Sequence, residues 1–318
     1  MPAFYDLASL TKPLVTAPLA LAFLDLDADR RWSLGFTDRE TPLTVRQMLS
    51  HSSGLPPWRP YTGEPLAAQL KRAVPEHPLL RPATPGLATY SDLNFRLLAQ
   101  LLEMEAGVPF AKLGAASGLS PAPWPLAPVL LPDAPDAEAW ALATDQPLPA
   151  RDPHLPHDAN ARAGMAGHAG FGTTAPQFFA TLKHWVSEGW PNRMATGATP
   201  GEGGALWGLG LQAVFAGGGR FGQLLSRIPP GAGIHVLEDA TSEAPLPAPI
   251  LHPDPGPATG WWCHTGYTGP ALFYRPADQC AIAVLLHRRG PQGELLDVET
   301  LRARRWATLA RFVEQWAG

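Results

Sequence analysis

From Leu10 to Leu24 the chain is apolar at nearly every position, interrupted only by Thr11, Lys12, Pro13, Thr16 and Pro18. A stretch this uniform has to be covered on all sides, so the rest of the fold must be built around it. It predicts a buried helix whose first turn carries Ser9 to Lys12. Pro13 is tolerated that early because the first N–H groups of a helix have no partner within it. Pro13–Leu26 is too short, and too broken by Pro13 and Pro18, to span a membrane. It ends in "DLDADRR" rather than a small-residue cleavage site, which argues against a secretory leader.

With 318 residues, 45% of them apolar, the chain can fill a substantial core. A net charge of −4 gives no basic field, so no nucleic-acid partner is expected. Cys263 and Cys280 do not make a disulfide framework. As written the chain reads as cytoplasmic, with a periplasmic or secreted location expected only if an upstream segment precedes it.

Helical stripes are expected at 43–51, 94–107, 174–189 and 299–316, the last with Leu301, Leu309, Val313 and Trp316 inward and Arg302, Arg304, Arg305 and Arg311 in solvent. Residues 119–160 hold ten prolines and read as a long surface excursion. From about 205 the texture turns to strands, ending in a hairpin around "PADQ" at 276–279. The expectation is an α+β chain acting as one catalytic unit over 1–318, with 13–200 mainly helical and 201–318 a sheet region with a C-terminal helix.

Three short motifs stand in an informative order: S-L-T-K at 9–12, Y-S-D at 90–92 and H-T-G at 264–266. A hydroxyl is a poor nucleophile until a base takes its proton. Positions i and i+3 share a helix face, so the Lys12 amine can reach Ser9 Oγ, and the helix N-terminus favours a neutral lysine and a developing oxyanion. Tyr90 can act with Lys12 as a coupled base, and Asp92 can hold Lys12 or the substrate through a charge-assisted bond. The strand edge of His264, Thr265 and Gly266 offers backbone pairing to an extended acyl group, with His264 as a partly titrating polar contact. Only 4 lysines stand against 20 arginines, so a lysine kept inside an apolar stretch points to chemistry that Arg cannot do.

These motifs, with "LSHSSGLPPW" (49–58), "YSDLNFRLLAQLLE" (90–103), "AGHAGFGTTAPQF" (166–178) and "HTGYTGPALFYRP" (264–276), resemble the serine β-lactamase-like family. That family includes class C β-lactamases, low-molecular-weight penicillin-binding proteins, D-aminopeptidases and family VIII carboxylesterases. The resemblance implies a β-lactamase/transpeptidase-like fold, an antiparallel sheet flanked by helices plus an all-helical region, with the site between them. It implies an acyl-serine mechanism without a cofactor: Ser9 as nucleophile, Lys12 and Tyr90 as base pair, and the backbone N–H groups of Ser9 and Tyr267 as oxyanion donors. Three departures stand out. His264 replaces the usual lysine, Asp92 replaces the commoner asparagine, and only eight residues precede the serine where family members carry several tens. A shortened chain is the expectation. The first two shift weight toward an esterase-like serine hydrolase acting on a small ester, amide or peptide. A D-alanyl carboxypeptidase, D-aminopeptidase or β-lactamase is the enzymatic alternative, and a catalytically silent binding scaffold the other.

Plainer roles stand beside these. Ser9 could be a helix N-cap, Tyr90 a packing residue and Asp92 the N-cap of a helix from Asn94. Ser52, Ser53 and Gly54 read as a helix stop, and His168 as a loop-shaping hydrogen-bonder. Trp261 and Trp262 could line an acyl pocket or simply pack. "RDPHLPHD" (151–158) lacks the spacing of a metal site, so no metal is expected.

Overall fold

A computed structural model describes residues 4–59, 65–70, 84–121, 158, 161, 167–215, 220–239, 258–287 and 296–316. The Pro-rich stretch 119–160 therefore lies outside the described residues except for 119–121 and 158.

Strand β1 (Phe4–Asp6) leads into a tight 3₁₀ turn, Ala8–Leu10, a wide π turn, Lys12–Thr16, and α1 (Ala17–Phe23). Then come α2 (Val45–Leu49), α3 (Leu66–Leu70), α4 (Asp92–Ala106), α5 (Phe110–Ala115), β2 (Ser120–Pro121), β3 (Phe171–Thr174), α6 (Ala175–Ser187) and α7 (Trp190–Met194). The rest comprises β4 (Thr199–Pro200), β5 (Leu206–Trp207), β6 (Gln212–Phe215), α8 (Arg220–Leu225), β7 (Ile234–Glu238), β8 (Ala258–Thr265), β9 (Ala271–Arg275), β10 (Cys280–Leu285) and α9 (Val298–Glu314).

A seven-stranded sheet runs in the order β4-β5-β6-β8-β9-β10-β7, and a small sheet in the order β1-β3-β2. The expected hairpin is present, with Cys280 opposite Arg275 and Val284 opposite Ala271. All pairings are antiparallel except β7 with β10, which run parallel. The strand period of two divides β9 and β10 cleanly. Leu272, Tyr274, Ala281, Ala283 and Leu285 face one core, with Leu10, Leu14, Phe95 and Phe178 from the helical side. Ala271, Phe273, Ile282 and Val284 face a second core with Leu301, Leu309 and Phe312 of α9. The site lies on the first of these faces.

The prolines shape the entry to α1. The Ala17 N–H reaches back to Lys12 O, so the next wide-turn bond, from residue 18 to Pro13 O, needs an N–H that Pro18 lacks. The orphaned Pro13 carbonyl is met by Trp185 Nε1 of α6 at 2.9 Å. Trp185→Phe is expected to cost about 1–3 kcal/mol, the usual penalty for a buried carbonyl left unpaired, measured by urea unfolding.

Two local expectations change. Helix α4 begins at Asp92 with Ser91 as its N-cap, two residues earlier than the pattern suggested; it closes at Gly107, whose φ of 69° suits a left-handed cap. On α9, Leu301, Leu309 and Val313 are buried as expected, but Trp316 lies past the helix end and is exposed, while Arg305 is buried. Arg304 pairs with Asp239 at 2.5 Å rather than standing in solvent. No helix among the described residues is long and apolar enough to cross a membrane.

Candidate active site

Ser9 sits in the 3₁₀ turn between β1 and the π turn, and its backbone is set from both sides. Leu7 N–H bonds Phe171 O of β3 at 3.0 Å, and Leu10 N–H bonds Leu7 O at 2.9 Å. Ala8 has a φ of 44°, in the left-handed region that costs a non-glycine residue about 1–3 kcal/mol. Asp6 Oδ1 accepts the Ala8 N–H at 2.8 Å and helps hold that conformation. The Ser9 side chain caps nothing. Instead its Oγ lies 2.9 Å from Lys12 Nζ and 2.8 Å from Tyr90 Oη.

Lys12 is fully buried; its ammonium donates to Ser9 Oγ and to His168 O, both at 2.9 Å, and forms an ion pair with Asp92 Oδ1 at 2.7 Å. Burial pulls the ammonium down, but the opposing pull, led by the Asp92 carboxylate, holds Lys12 above its ordinary value. This corrects the expectation of a neutral lysine, because a carboxylate at ion-pair distance outweighs a helix N-terminus whose partial charge falls off within one turn. Tyr90 is pushed up to about 12, burial outweighing the pull of Lys12. In the resting site, therefore, Lys12 is charged and Tyr90 is a neutral phenol. Lys12 also lies 4.9 Å from the Tyr90 ring centre and 5.8 Å from that of Phe95.

Behind Tyr90 stands a cluster of rings. The His51 ring centre lies 4.7 Å from that of Tyr90, tilted, and 4.6 Å from that of Trp207, edge-on; the His264 ring lies 5.9 Å from Tyr90, tilted, and 6.2 Å from Trp207, edge-on. His51 Nδ1 accepts the Ser91 N–H at 3.1 Å, just before Asp92. Burial, then the Lys12 charge, pushes His264 down to about 3, so it is neutral where a titrating contact was expected. Its Nδ1 lies 3.1 Å from Thr265 O, and a carbonyl can only accept, so Nδ1 carries the proton. Thr265 itself is exposed, Gly266 is buried against the Ser9 turn, and the Tyr267 side chain is exposed beyond it.

The structure thus brings Ser9, Lys12, Tyr90 and Asp92 into direct contact and sets His264 against the Tyr90 ring. It adds three groups the sequence did not single out for the site: His51, Trp207 and the His168 carbonyl. No spacing rule marks a carbonyl or a packing ring. His168 has a shaping role of its own: its Nε2 lies 2.8 Å from Asp158 Oδ1, which also takes the Ala161 N–H at 2.8 Å. Burial raises Asp158, but His168 and that N–H outweigh it and hold the carboxyl well below the usual range. Ser53 shapes the turn after α2 through Asn94 and the Leu55 N–H, and Trp261 is core beneath α9.

A family model described as Beta-lactamase matches residues 3–304. Among solved structures, a class C beta-lactamase from Rhodobacter sphaeroides is 18% identical, aligns over 98% of this chain and 86% of its own, and has a TM-score of 0.61. A beta-lactamase from Sulfitobacter sp. EE-36 is 20% identical over 99% of this chain and 84% of its own, with a TM-score of 0.56. The octameric penicillin-binding protein homologue from Pyrococcus abyssi is 17% identical over 99% of this chain and 66% of its own, also at 0.56. At such identities these structures speak to the fold. A search of curated proteins finds no match. Because the family match runs through all three motifs and nearly the whole length, the chain belongs to the beta-lactamase family.

Proposed function

We propose that this protein is a serine hydrolase that forms an acyl-enzyme on a small ester or amide with no carboxylate facing His264. Ser9 is the nucleophile. Tyr90 and Lys12 form the base pair that takes its proton and returns it to the leaving group, and the N–H groups of Ser9 and Tyr267 are the oxyanion donors. The observation that carries this reading is Ser9 Oγ within hydrogen-bond distance of both Lys12 Nζ, 2.9 Å, and Tyr90 Oη, 2.8 Å. An N-cap or packing role requires neither contact. The substrate preference rests on His264: a buried neutral imidazole offers a carboxylate no charge, where a lysine would.

Labelling with a fluorophosphonate tests the reading. The folded protein should be labelled and its Ser9→Ala variant should not; equal labelling of both, or of neither, removes Ser9 as the nucleophile. Turnover of a p-nitrophenyl butyrate is expected to exceed that of a chromogenic cephalosporin, and the reverse order would make the substrate a β-lactam.

A further inference from the structure

Arg305 of α9 reaches the end of the third motif from the far side of the sheet. It is buried, only 8% exposed. Its Nη2 donates to Gly266 O at 2.7 Å and its Nε donates to Gly269 O. Among the described residues no carboxylate pairs with it. A buried guanidinium without a counter-charge is costly to keep, so the two groups it does hold are informative.

Those two carbonyls bracket Tyr267 and Thr268, and this short turn is built onto the segment that presents Ser9. A Cβ added at Gly266 would stand 2.8 Å from Leu7 O, so only glycine lets the two backbones approach this closely. Thr268 Oγ1 donates to Asp6 O at 2.7 Å, and Asp6 Oδ1 holds the Ala8 N–H at 2.8 Å. The turn after H-T-G and the turn carrying Ser9 are thereby tied together, with Arg305 gripping from behind.

The peptide geometry turns that grip into an aim. In a trans peptide the C=O of one residue and the N–H of the next point in opposite directions. Gly266 O is drawn toward α9, which packs on the second core. The Tyr267 N–H therefore points toward the other face, the one where the Ser9 segment packs with Tyr5, Leu7 and Leu10. A cation bonded to the carbonyl also polarises the amide, so the N–H across it becomes a stronger donor. Burial draws Arg305 down to about 10, which leaves it charged at neutral pH.

We propose that Arg305 is a positioning residue for the oxyanion hole: forked onto Gly266 O and Gly269 O, its guanidinium aims and polarises the Gly266–Tyr267 peptide so that the Tyr267 N–H meets the oxyanion formed on Ser9. This rests on the serine hydrolase reading above. It adds a residue 39 positions beyond the motif, on an element outside the three signatures.

The test compares the full chain with Arg305→Met and Arg305→Lys. Three quantities are read: the rate of Ser9 capture by a fluorophosphonate, kcat and KM for p-nitrophenyl butyrate, and affinity for phenylboronic acid, whose Ser9 adduct is a tetrahedral anion. In Arg305→Met, capture rate, kcat and boronate affinity should fall together by about 10- to 100-fold while KM changes by less than about threefold, the pattern of a donor misaimed rather than removed. Arg305→Lys keeps the charge but cannot fork onto both carbonyls, so a smaller fall in the same three quantities is expected. A purely structural role would lower Tm and leave boronate affinity and kcat of the folded variant unchanged; that result overturns the proposal. If Arg305→Met does not fold, Arg305→Lys decides, and wild-type capture and boronate affinity in it overturn the proposal as well. Absence of Ser9 labelling in the wild-type chain would instead sink the hydrolase reading, and this inference with it.

Discussion

Lys12→Met should lower kcat for a p-nitrophenyl ester by about 10³–10⁴-fold, at the upper end of what a general base supplies. Met matches the length of the lysine stem, and the site around Lys12 is fully buried, so little rearrangement is expected. The change removes the ammonium that donates to Ser9 Oγ and His168 O and ion-pairs with Asp92. It should also destabilise the fold by about 3 kcal/mol in urea unfolding, because Asp92 is left beside an apolar wall. The double variant Lys12→Met/Asp92→Asn separates the two effects. It should regain most of the lost stability, since the stranded charge is gone, and regain none of the activity, since the base is still missing. Recovery of activity in the double variant would show that Lys12 serves the fold rather than the chemistry.

Asp92→Asn should shift the pH profile. Asp92, 2.7 Å from Nζ, is the largest cause holding Lys12 above its ordinary value, against the opposing effect of burial. Removing the carboxylate therefore lowers the Lys12 pKa, and the unprotonated pair becomes available at lower pH. The acidic limb of kcat/KM should move down by about 1–3 units, the shift an adjacent opposite charge typically produces. Lys12 and Tyr90 share Ser9 Oγ, so the limb reports the pair and not one residue. At a pH below the wild-type limb the variant should be the faster enzyme. An unmoved limb would mean that Asp92 does not set the protonation of the base.

Much of this site was legible because its chemistry is local or carried by rare residue types. Ser9 and Lys12 are one turn apart, and a hydroxyl–amine contact follows from helix spacing alone. Tyr90 and Asp92 flank the start of α4, where a short turn and a helix N-terminus fix their direction. The hairpin of β9 and β10 was visible for the same reason: its turn is four residues long and its strands are rich in aromatic and branched side chains. What the sequence put wrongly was the state of the groups. A lysine expected neutral is charged and a histidine expected to titrate is neutral, because protonation depends on burial and on neighbours tens to hundreds of residues away.

Other features had no local signal at all. Strand β7 is a five-residue run whose partner, β10, lies more than 40 positions later and runs parallel, so no turn announces the pairing. His51 and Trp207 gain their place only when α2 and β5 close on Tyr90. Arg305 reads from its helix as one of a solvated cluster, yet it is buried against the turn between β8 and β9. The sequence by itself determined the buried helix, the three motifs, the α+β class and the kinds of side chain that could do the chemistry. The tertiary structure decided which core each strand face joins, which charge survives burial, and which carbonyls a distant arginine holds, because these depend on approaches between segments that sequence spacing does not encode.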